Sequence, residues 1–72
     1  MTEHEARKAL IRKTFREVCA KHGYRLGADA AALETASRIG PNCTTVSVWL
    51  AFDGIVEMQR IAAGYDKEEA AP

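Results

Sequence analysis

Thr44-Thr45-Val46-Ser47-Val48-Trp49-Leu50-Ala51-Phe52-Asp53-Gly54-Ile55-Val56-Glu57-Met58 is the stretch on which the fold class turns. Thr45, Val46, Val48, Trp49 and Phe52 all favour strands. A single strand would have no partner here, and no hairpin signature flanks it. A helix capped by Thr44 or Thr45 is the better reading, with Val46, Trp49 and Leu50 directed inward. Asp53-Gly54 marks either a break or a weak spot in one long helix. Beyond it Ile55, Met58, Ile61 and Ala62 continue a helical stripe as far as Gly64.

Upstream, residues 3–22 carry the clearest periodicity. Ala6, Leu10, Ile11, Phe15, Val18 and Cys19 recur at helical spacing, and Arg12, Lys13, Arg16, Glu17 and Lys21 fill the opposite face. Thr2 suits the N-cap, with Glu5 placed three residues on for a capping box. Lys21 and His22 suit the negative end of the helix dipole, and Gly23 the C-cap. Tyr24 to Ala28 form a short connection that tucks Tyr24 and Leu26 into the core. Asp29 is the expected cap of a second helix running to Ile39, with Ala32, Leu33, Ala36 and Ile39 inward. Gly40-Pro41 ends it, because proline cannot continue a helix.

These elements predict an all-α protein, a small bundle of three to five short helices. Residues 1–63 form one helical domain, and 64–72 read as a polar tail with Asp66, Glu68 and Glu69. A chain of 72 residues holds only one small core. Hydrophobic residues at 47% and charged residues at 28% describe a globular chain. Ten basic and ten acidic residues cancel, which argues against indiscriminate binding to phosphate backbones. The positive charge is concentrated early, in Arg7, Lys8, Arg12, Lys13, Arg16, Lys21 and Arg25.

Sites for chemistry are sparse. Cys19 and Cys43 make no disulfide framework. With His22 they offer three soft ligands, but a core role for Cys19 and a helix-end role for His22 are the simpler readings, so no metal is expected. Glu34 and Asp53 do not form an acid–base pair. Gly23 to Gly27 lacks the lysine and the strand of a phosphate loop. No catalytic residue and no cofactor are expected. The chain also shows no signal peptide and no apolar run of membrane-spanning length, which predicts an intracellular protein. Trp49 and Tyr24 are each core residues or interface anchors, whereas Phe15 and Phe52 read as core.

From Ile11 to Cys43 the chain resembles the N-terminal helical domain of the second (B) subunit of DNA polymerase epsilon. Phe15, Lys21-His22-Gly23-Tyr24, Leu26, Ala30, Leu33, Ala36, Ile39-Gly40 and Cys43 carry the resemblance, over about half of the chain. It implies an all-helical domain related to the lid domain of AAA+ ATPases, without a catalytic role. It also implies a nuclear location and protein contacts within a replication complex, including the GINS part of the helicase. Without it, the cytoplasm is the default.

Ala36, Ile39, Gly40, Val46 and Trp49 stand at roughly the spacing of the helix-turn-helix in small repressors. Thr45-Val46-Ser47 resembles the start of a recognition helix. That resemblance implies a DNA-binding regulator reading bases with Asn42, Thr44, Thr45 and Ser47. No Arg or Lys lies between Arg38 and Arg60, however, so the charge pattern opposes it.

The leading expectation is therefore a protein–protein interaction module. Its candidate residues are the basic face of Arg12, Lys13 and Arg16, with Tyr24, Arg25 and Trp49. A homo-oligomer is a further alternative. The apolar run from Val46 to Met58 motivates it, being long for one small copy to bury.

Overall fold

The computed structural model describes residues 2–65. Four helices account for most of them: α1 (Glu3–Lys21), α2 (Ala28–Ile39), α3 (Thr45–Leu50) and α4 (Ile55–Ala63). The described residues contain no strand. The protein is thus a small all-α bundle, and Thr45–Leu50 is helical despite its strand propensity. Helix α1, at 19 residues and ~28 Å, is about as long as the largest extent of a body 29 × 25 × 19 Å. It packs most extensively on α2, while α3 rests on α2 and α1, and α4 closes against both.

The ends of the helices follow local chemistry. Thr2 Oγ1 accepts from the Glu5 amide at 3.2 Å, satisfying one of the donors a helix start leaves open. At the other end of α1 the Gly23 amide bonds to the Ala20 carbonyl and the Tyr24 amide to that of Cys19. This is the paired Schellman pattern, and it makes His22 the cap, with Gly23 beyond it. Tyr24 itself takes φ +60°, a conformation that non-glycine residues rarely adopt. Gly64, at φ +91°, ends α4. A Cβ there would lie 3.2 Å from Cγ of Tyr24, so the glycine lets the tyrosine ring lie over the end of α4. Asp29 does not cap α2. Gly27 takes that position with no side-chain bond, and Asp29 falls in the first turn, where the helix dipole still favours a carboxylate.

One contiguous core joins all four helices. Its largest fully buried side chains include Phe15, Met58, Val18 and Val48. Phe15 meets Phe52 edge-on, with ring centroids 5.1 Å apart at 61°, an arrangement that suits two ring quadrupoles. Tyr24 and Leu26 pack against this core from the connection after α1. Met58, Ile61 and Ala62 supply the α4 face.

Three helices are rotated relative to the sequence expectation. On α1 the buried line is Ile11, Thr14, Phe15, Val18 and Cys19, while Ala6 and Leu10 are exposed. On α2 it is Ala31, Ala32, Thr35 and Ala36, which leaves Leu33 64% exposed and Ile39 half-buried. Thr14 and Thr35 fit the interior because each hydroxyl donates to its own helix, to Leu10 O at 2.8 Å and Ala31 O at 2.7 Å. That bond satisfies the hydroxyl, so each threonine presents its methyl group to the core.

On α3 the correction is larger. Val46 and Leu50 are 62% and 73% exposed and Trp49 is half-buried, whereas Val48 is fully buried. The cause lies just downstream. Ala51 and Phe52 are buried, Phe52 against Phe15. Ala51 caps α3 and Phe52 follows in the turn, and because the Ala51 amide still bonds to the Val48 carbonyl, the turn that brings them inward also turns in Val48. Val46 and Leu50 then face out. Asp53-Gly54 is a true break between α3 and α4. Past it Ile55 is half-exposed, contrary to its place in the expected stripe. Of the expected tail, Gly64 and Tyr65 still bond back to α4, and the acidic residues from Asp66 onward lie outside the described residues.

Candidate protein-docking surface

The outward face of α3 carries Val46 and Leu50 one turn apart, with Trp49 on its edge. Trp49 leans on the core from there. The face is held rigidly for so short a helix. Thr44 Oγ1 accepts from the Ser47 amide at 3.3 Å, and Ser47 Oγ accepts from the Thr44 amide at 3.4 Å. This reciprocal capping box fixes the start of α3.

Beside that face runs the N-terminal half of α1. His4, Arg7 and Lys8 stand at positions i, i+3 and i+4, so they share one side of the helix. Together with Ser47 and Leu50 they wall a cleft of about 290 Å³ over Ile11 and Ala51. The guanidinium of Arg7 donates to the Asn42 carbonyl at 2.8 Å, tying α1 to the turn before α3. Past Arg7 a shallower hollow of about 260 Å³ continues over Leu10, Ile39 and the turn from Gly40 to Cys43. A third depression, about 520 Å³, lies across that turn between Leu33 and Ser37 of α2 and Thr45 of α3. Among the described residues, no carboxylate lines any of the three.

The residues singled out from sequence do not form one site. Arg12 is an internal tie. It pairs with Glu57 at 3.1 Å, donates to the Ala51 carbonyl at 3.3 Å, and lies 5.0 Å over the Phe52 ring. One side chain thereby joins α1, the end of α3 and α4. Arg16 is exposed on α1. Tyr24 and Arg25 follow α1 at its C-terminal end, the tyrosine packed over Gly64 and the arginine exposed. Only Trp49 belongs to the α3 face.

The four residues considered for base reading sit around one turn. Asn42 is exposed with its carbonyl taken by Arg7, and Thr45 is half-buried. The Thr44 and Ser47 hydroxyls are engaged with each other and with backbone amides.

Sequence reasoning missed His4, Arg7 and Lys8 as a cleft wall. The signal was present in their i, i+3, i+4 spacing, but the cleft exists only because Leu50 faces outward.

Cys19, His22 and Cys43 are not brought together as ligands. Among the described residues, no group of three His, Cys, Asp or Glu side chains is placed to hold a metal ion. His22 Nε2 instead meets Glu34 Oε1 at 2.9 Å, and Arg38 reaches the other carboxylate oxygen at 3.1 Å. The hydrogen bond from His22 holds the Glu34 carboxyl below its ordinary range, against some loss of solvent and with smaller help from the charges of His22, Arg38 and Lys21. Burial pushes the Cys19 thiol up to about 11, which suppresses the reactive thiolate.

No described helix is long and apolar enough to cross a membrane. No protein-family profile, curated protein or solved structure matches this chain.

Proposed function

We propose that the chain is a non-enzymatic helical module that binds a protein partner, with the outward face of α3 as its anchor. The observation that carries this reading is the exposure of Val46 and Leu50 on one face beside a basic cleft. Apolar side chains at the centre of a surface, bordered by charge, are the usual composition of a protein-binding patch. Among the described residues the cleft is lined by no carboxylate that could pair with His4 as acid and base. The resemblance to the polymerase B subunit makes a replication assembly the first place to seek the partner.

The alternative of a DNA-reading turn is weaker. It needs the Thr44 and Ser47 hydroxyls, which the capping box already uses, and α3 carries no basic residue.

The experiment compares crosslinked partners of the tagged chain with those of the Val46→Asp/Leu50→Asp variant in the same cells. Both sites are exposed, so the variant keeps its helical circular dichroism. A discrete protein partner should be retained by the native chain and by Arg25→Glu, and lost from the double variant. A partner captured equally by the double variant would remove α3 as the anchor.

A further inference from the structure

We infer that the cleft between α1 and α3 receives an acidic amphipathic helix of the partner, seating aliphatic side chains on Leu50 and Val46 and carboxylates on His4, Arg7 and Lys8. This rests on the protein-binding reading above and assigns the partner's chemistry.

Charge sets the sign. The cleft wall carries the cations Arg7 and Lys8 and the histidine His4, and among the described residues its lining includes no acid. Among the described residues, no carboxylate pairs with Arg7 or Lys8, whereas the next cation along the helix, Arg12, is neutralised by Glu57. Arg7 is held in place by the Asn42 carbonyl, so its charge is preorganised beside the groove.

Shape sets the form of the ligand. The groove lies between two helices; Leu50 stands on its α3 wall, and Val46 lies one helical turn back on the same face of α3, just outside the groove lining. A helix presenting aliphatic residues at i and i+3 or i+4 matches that spacing. An extended strand would need a free sheet edge, and the described residues include no strand. The volume of about 290 Å³ suits one or two anchor side chains.

The test uses two synthetic amphipathic helical peptides with one leucine pattern, the first bearing glutamates and the second lysines on the polar face. Each is titrated into the full chain by calorimetry and by the fluorescence of Trp49, the neighbour of Leu50 on α3. At low salt the glutamate peptide should bind about tenfold more tightly, and the preference should shrink several-fold at high salt. His4→Glu with Lys8→Glu leaves the Arg7–Asn42 bond in place and should reverse the preference. Leu50→Asp should weaken the glutamate peptide by at least about tenfold, with native helical content.

Equal affinity for the two peptides, still dependent on Leu50, would overturn the acidic partner and leave the docking surface standing. Binding that ignores Leu50→Asp would remove both. Absence of binding by either peptide overturns the inference. So does a sedimentation result showing self-association that Leu50→Asp abolishes, because the face would then belong to a second copy.

Discussion

Replacing Val48 by alanine should destabilise the protein by about 2 kcal/mol, and replacing Leu50 by alanine by no more than about 0.5 kcal/mol. The contrast follows from where α3 points. Val48 is fully buried, so Val48→Ala removes two carbons from the interior at about 0.8 kcal/mol each. The void left behind adds a few tenths more. Leu50 is 73% exposed, so its three lost carbons forfeit only about a quarter of their transfer energy. Alanine's better helix propensity offsets part of that remainder. Val46→Ala, at 62% exposure, belongs with Leu50.

Urea unfolding followed by far-UV circular dichroism reads these differences as shifts in midpoint at constant slope. A domain of this size has a net stability of only about 3–5 kcal/mol. Val48→Ala should therefore remove about half of it and lower Tm by about 10 °C. The orientation is refuted if Leu50→Ala costs as much as Val48→Ala. In that event Val46, Trp49 and Leu50 would face the core, as periodicity alone suggests. The docking surface would vanish with the reversal, so this stability comparison is also the first control on the proposed function.

Arg12→Ala should cost about 1–2 kcal/mol, because it removes the ion pair, the carbonyl bond and the cation–π contact together. Arg12→Lys should recover less than half of the loss, since an ammonium cannot fork between Glu57 and Ala51; equilibrium unfolding of both variants measures it. Glu34 has a lowered carboxyl pKa in the folded protein. Its contribution is present above the ordinary carboxylate range and is lost as pH falls through the folded value. Glu34→Gln should therefore flatten the decline in unfolding midpoint between about pH 5 and pH 3, and an unchanged acid limb would count against the His22 bond. Cys19, buried with its pKa pushed up to about 11, should react with a thiol reagent at mildly alkaline pH only at the rate of unfolding. Labelling of Cys19 that outpaces unfolding would show that its burial is overstated.

Helix existence was legible from local signals, and helix rotation was not. The stops at Gly23 and Gly40-Pro41 and the break at Asp53-Gly54 work through backbone conformation, so they act wherever the chain goes. Thr45–Leu50 is helical because tertiary burial of Val48 and of Ala51 and Phe52 just beyond it, together with the Thr44–Ser47 cap, outweighs strand propensity. Rotation depends instead on which side chains the neighbouring helix accepts. On α2 two stripes compete, one ending in Leu33 and Ile39, the other containing Thr35. A hydrophobicity count selects the first. The structure selects the second, because alanines and a self-bonded threonine form a low surface on which α1 can pack. Nothing local announces that Thr35 will use Ala31 O rather than water.

The same exchange bears on function. The fold buries Thr14 and Thr35 while leaving Leu33, Val46 and Leu50 exposed. Each of those aliphatic side chains would be worth about 1.5–3 kcal/mol if buried, comparable with the whole stability of so small a domain. Single exposed leucines are ordinary. Here, however, Val46 and Leu50 share one face of a six-residue helix whose cap fixes its orientation, beside cations with no partner carboxylate among the described residues. The basic character of α1 was readable from sequence, but the division of labour within it was not. Arg12 and Glu57 are distant in the chain, so only the fold shows that Arg12 serves the core and that Arg7 and Lys8 are left facing the groove. Stability gains nothing from keeping aliphatic surface and positive charge together in this way. Recognition of an acidic, amphipathic partner uses both, and the cost in core burial is therefore an argument for the surface as a binding site.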